Sequence, residues 1–145
     1  MNLGQDSGWI IKLSVALEIT AEALQPNEVD TFLGLSHTSG FVKGKGNVHG
    51  GPPYGAWAYR SSIANQGENL EDHIQFLLST IEPIQDKLDF YINSPSYTVV
   101  IRIFYRNNLD IASIDINSSI LRRLAQLCNN FHISLIGDTE EDLKT

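Results

Sequence analysis

The chain has 145 residues, 42% of them hydrophobic, and a formal charge of −7. That length is enough for one ordinary domain with its own core, spanning 1–145, without disulfides or metal. The acidity opposes nonspecific attraction to nucleic acid or anionic lipid and favours a cationic partner. The single cysteine, Cys128, excludes a disulfide framework or a CxxC metal clip, and its place in an apolar helical pattern reads as a buried structural thiol.

The opening "MNLGQDSGWIIKLSV" has no basic segment leading into an apolar core, and no apolar run reaches membrane-spanning length, so a cytoplasmic protein is expected. From Trp9 to Thr20 apolar side chains alternate along one face (Trp9, Ile11, Leu13, Val15, Leu17, Ile19), the period of a half-buried strand. "LQPNEVDTFLGL" then reads as a short helix. Pro26 suits its first position, Val29, Phe32 and Leu33 share an inward face, and Gly34 ends it.

Next comes "GFVKGKGNVHGGPPYGAWAYRS", which holds six of the eleven glycines. It reads as an irregular hairpin with a long loop from Gly44 to Gly55, and Trp57 and Tyr59 fall on one face of the strand that follows. Leu70 to Ile92 carries the longest helical pattern, with Asn69 as cap, and Pro83 predicts a kink or break near Ile81 to Glu82 because its ring clashes with the preceding turn. Ser96 to Arg106 is a second long strand. A helix capped by Asn117 runs through Cys128 to end at Asn129 and Asn130, "FHISLI" is the last strand, and residues 138–145 form an acidic tail.

Both ends of the chain read strand, short helix, strand, with a faint echo between Leu24, Val29, Phe32, Leu35 and Ile116, Leu121, Leu124, Leu127. The expected fold is therefore α+β: a ferredoxin-like sandwich with a mainly antiparallel sheet of about five strands and helices packed on one face. Two βαβ-like units would be joined by the kinked long helix.

The order of these marks, with "VKG", "AWAYRSS", "LEDHIQFLLSTIEP" and "ILRRLAQLCNNFHISL", resembles over nearly the whole chain the bacterial family catalogued as domain of unknown function 4279. The resemblance implies a small bacterial α+β domain without assigned catalytic residues, and such domains look like candidates for immunity proteins of toxin systems. The polar "SHTSG" and the glycine-rich loop depart from what the resemblance leads one to expect.

Chemistry is hard to find in the motifs. A phosphate-binding Walker loop needs four residues between its glycines, and Gly40 and Gly44 have three between them, while Gly44, Gly46 and Gly50 miss GxGxxG by one residue. His37, His49, His73 and His132 are scattered without ligand spacing and read as exposed residues. There is no GxSxG elbow, and Glu71 with Asp72, or Glu140 with Glu141, read as solvated neighbours. Trp57 reads as core under the long helix.

The sequence thus favours a non-enzymatic binding protein with no cofactor or metal, most concretely an immunity protein that binds a cognate toxin, a basic nuclease. No direct nucleic-acid or membrane contact is expected of it. Candidate partner-binding residues are Lys43, Lys45, His49, Tyr54 and Tyr59 around the hairpin, with Glu68, Glu71 and Asp72 at the acidic start of the long helix. The rival reading is a small-molecule or regulatory domain that uses the glycine loop or the sheet's open face. The chain would act as a monomer, or as a homodimer paired through an edge strand at Ala56 to Ser61.

Overall fold

The computed structural model describes residues 13–44, 52–63, 69–107 and 114–137. The expected strand residues Trp9 to Lys12, the loop residues 45–51, Glu68 and the acidic tail lie outside them. Among the described residues five strands form one sheet in the order β2-β3-β1-β4-β5: β1 (Leu13–Ala21), β2 (Ser39–Phe41), β3 (Gly55–Arg60), β4 (Thr98–Asn107) and β5 (Asn130–Gly137). β1 pairs antiparallel with β3 and β4, β2 antiparallel with β3, and β5 parallel with β4. The sheet is mainly antiparallel, within a mixed α+β fold.

The alternation in β1 decides which side is core. Leu13, Val15, Leu17 and Ile19 are buried beside Trp57 of β3 and Val99, Ile101 and Ile103 of β4. Helices cover that side: α1 (Pro26–Leu33) gives Val29 and Leu33 to the same cluster, and α2 (Leu70–Ile81) gives Ile74, Leu77, Leu78 and Ile81. α3 (Gln85–Ile92) adds Leu88 and Tyr91, and α4 (Ser118–Ala125) adds Leu124. No helix among the described residues is long and apolar enough to cross a membrane.

Local signals set the helix ends. Gly34 takes φ 72°, a left-handed conformation that costs glycine little, and its N–H closes α1 on the Asp30 carbonyl at 2.8 Å. Asn69 Oδ1 accepts the Glu71 and Asp72 N–H groups at 2.9 and 3.3 Å, satisfying donors that the first turn leaves unpaired. Pro83 has no N–H to give, and α2 and α3 are separated there by a 3-10 turn over Glu82–Ile84. Glu82 in that turn receives two hydrogen bonds from Arg123 of α4, at 2.7 and 2.8 Å.

Four expectations are corrected. The strand Gly55–Arg60 is not an edge, because β2 and β1 flank it; among the described strands the outermost are β2 and β5. α4 ends at Ala125 rather than at Asn129 and Asn130, because Asn129 is drawn to the sheet. Its N–H and Oδ1 bind the Val99 carbonyl and N–H at 2.7 and 2.9 Å, and its Nδ2 holds the Ile92 carbonyl at 2.9 Å, at the end of α3. Phe32 does not share the buried face of Val29 and Leu33 but is 43% exposed. Finally, the two strand-helix-strand units are arranged differently: β3 lies between β1 and β2, whereas β4 and β5 are adjacent.

Candidate functional site

The residues that the sequence nominates do not converge. Lys43, just beyond β2, has its ammonium 2.9 Å from Glu22. Tyr54, 40% exposed, leans on Phe41 at 5.9 Å. Tyr59 lies on the core side of β3 and stacks nearly parallel on Phe76 of α2 at 6.2 Å, so its ring serves packing. Glu71 and Asp72 are exposed at the start of α2, by the far end of β3, where Ser61 meets His73. Six residues of strand, about 20 Å, separate them from Tyr54. Lys45, His49 and Glu68 lie outside the described residues.

Two histidines expected at the surface are structural. His73 is fully buried, and its Nδ1 lies 2.6 Å from the buried Ser61 hydroxyl, which also accepts the Val15 N–H at 2.9 Å. This is the contact of a nucleophile with its base, but both groups are sealed from solvent, and what it does is anchor the end of β3 to β1 and α2. Ser61→Ala is expected to leave buried polar groups short of a partner and to cost about 1–3 kcal/mol, read as a lower urea midpoint; an unchanged midpoint would show that the contact carries no stability.

His37 is tied to α1. Its Nδ1 lies 2.9 and 3.0 Å from the two Asp30 oxygens, its backbone N–H donates to Asp30 at 2.7 Å, and the Trp57 indole N–H donates to the same carboxylate at 2.8 Å. Burial pushes the Asp30 pKa up, but the hydrogen bonds from His37 and Trp57 outweigh it and hold the carboxyl below its ordinary 3.8. A carboxyl depressed on folding contributes stability above its unfolded pKa and loses it as pH falls through the folded one. Asp30→Asn should therefore flatten the loss of melting temperature below about pH 4, and an acid limb as steep as the parent's would remove Asp30 from the explanation. Cys128 is half-buried, and burial pushes its thiol up, which keeps it protonated and unreactive.

The structure brings together a group that the sequence reading did not nominate. Phe32 of α1, Phe90 and Tyr91 of α3, and Tyr97 before β4 form an aromatic cluster. Tyr91 is its buried anchor, edge-on to Tyr97 at 4.9 Å and to Phe32 at 5.6 Å. Phe90 lies 5.4 Å from Phe32 and 5.1 Å from Tyr91, yet is 56% exposed. Because Leu88 and Tyr91 turn inward, the helical period carries Phe90 outward. Exposed carboxylates stand four residues before each phenylalanine, Glu28 before Phe32 and Asp86 before Phe90, on the same helical faces. Burial, with Tyr97 and Glu28 nearby, pushes the Tyr91 hydroxyl pKa up.

Fold and cluster together define an α+β protein with one five-stranded sheet, one helical layer and an exposed, acid-rimmed aromatic face. The chain belongs to the family described as Domain of unknown function (DUF4279), whose model it matches over residues 11–137. No curated protein and no solved structure matches it.

Proposed function

We propose that the protein is a non-catalytic binding protein that docks a cationic protein partner on the Phe32–Phe90 face. Within that class, our reading is a bacterial immunity protein that neutralises a basic, nuclease-type toxin in the cytoplasm. The observation that carries it is the exposed pair of phenylalanines, each preceded on its helix by a carboxylate. Exposed aromatic clusters mark interaction sites, because large rigid rings bury much area at little entropic cost. The charge of −7 would steer encounter with a cation and make association fall with salt. For the scaffold we infer a ferredoxin-like core of β1 to β4, with α4 and β5 added at one edge. The order β2-β3-β1-β4, antiparallel at every step, supports that reading.

The test is capture of the product of the adjacent gene by the parent protein and by Phe90→Ser and Phe32→Ser. Each substitution is expected to weaken binding about 30-fold, the loss of a hot-spot aromatic, and the parent's on-rate should fall between about 50 mM and about 500 mM salt. Variants that bind as tightly as the parent would sink the assignment of this face.

A further inference from the structure

We propose that the face of the sheet turned away from the helices holds a site for a small organic carboxylate with a flat apolar body, separate from the aromatic face on the helical side. The register builds a trough there. On β3, Ala56, Ala58 and Arg60 point to this face, with Ala56 between Phe41 and Thr20 on its neighbours, and Ala58 between Ser39 and Glu18. Two alanines in the middle of a sheet leave a floor lower than its surroundings. The result is a cavity of about 250 Å³, walled at one end by the Phe41 and Tyr54 rings and at the other by Arg60.

Size and charge select the ligand. A cavity of about 150 Å³ holds benzene, and sites for drug-sized ligands start near 300 Å³, so this one fits a single ring with a short side arm. Ala56 and Arg60 are four residues apart, about 13 Å along the strand, a span that a ring over the alanines and a two-carbon arm towards the guanidinium can bridge.

Arg60 is the anion-binding group. Its guanidinium has no carboxylate partner among the described residues. The nearest candidate by register, Glu18, is bound to Arg102 Nε at 3.2 Å. Glu18, Arg60 and Arg102 are the Asp, Glu, Lys and Arg side chains described on this face, so it carries net positive charge on an acidic chain. A half-buried arginine fork suits a planar carboxylate, which it can bind through two parallel hydrogen bonds. Tyr54, exposed but leaning on Phe41, offers the ligand ring an edge or face to stack against.

The test uses 3-phenylpropionate and its uncharged amide as probes, titrated into the full chain by calorimetry and followed by amide chemical shifts. The acid is expected to bind, to shift the Ala56 and Ala58 amides, and to bind at least about tenfold more tightly than the amide, the worth of one charged hydrogen bond. Arg60→Met should erase that preference. Ala58→Leu, which projects a larger side chain into the trough, should abolish binding of both probes while the circular dichroism melt stays cooperative. Phe90→Ser should leave acid binding unchanged, which separates this site from the proposed protein-docking face. The proposal is overturned if the acid fails to bind up to about 10 mM, beyond the weak end of specific affinities. It is equally overturned if acid and amide bind alike, or if Ala58→Leu retains binding.

Discussion

Trp57→Ala should lower unfolding free energy by about 3–5 kcal/mol and the melting temperature by about 6–20 °C. The indole is fully buried on β3, so truncation leaves a large void in a core whose other members are aliphatic side chains and Tyr91. Its N–H also holds Asp30, the carboxylate that fastens α1 to His37. The two contributions separate in Trp57→Phe, which keeps most of the ring but not the donor. That variant should fall between alanine and parent, because Asp30 retains the bonds from His37. An alanine variant melting within about 2 °C of the parent, a shift worth under 1 kcal/mol, would mean that α1 is anchored elsewhere.

Gly55→Ala is expected to be nearly as damaging, at about 3 kcal/mol, the upper part of the range for overpacking. A Cβ at Gly55 would run into the backbone carbonyl of Leu24 and crowd the Phe41 carbonyl at 3.2 Å. Leu24 belongs to the turn that leaves β1, held by its own N–H to the Ala21 carbonyl at 3.3 Å, and backbone cannot step aside as a flexible side chain does. Gly34→Ala makes the comparison, since its Cβ would meet open space and only the left-handed φ of 72° resists it, costing about 1–2 kcal/mol. Denaturant melts that rank Gly34→Ala as the more harmful change would contradict this account.

Much of the chain's local structure is legible because local chemistry writes it. The β1 alternation, Pro26 and Gly34 around α1, and Asn69 and Asn117 as caps each place an element within a few residues. Strand order is not local, and nothing in "FHISLI" says that it lies parallel to β4 at the edge. His73 reads as a surface residue only because histidine suggests one. Its spacing from Leu70 and Leu77 puts it on the inward stripe of α2. Five of the eight nominated site residues follow the glycine-rich hairpin, where composition is unusual, and the other three follow the acidic start of α2. The aromatic face is built from three segments that are separate in sequence, Phe32, Phe90–Tyr91 and Tyr97, so only folding assembles it. Gly55 is explained by the close approach of Leu24, and this removes one glycine of that stretch from any argument about ligands.

The central position of β1 also bears on how the chain emerges and folds. Leu13 pairs with Tyr105, and Ala16 with Arg60, so the strand made early waits for partners made much later. At about 5–20 residues per second of synthesis, the backbone edge of β1 that β4 pairs stays open for seconds before β4 exists. Pairings so distant in sequence raise contact order and slow the search for the native topology. A nascent chain of this design carries an open strand edge until its second long strand arrives.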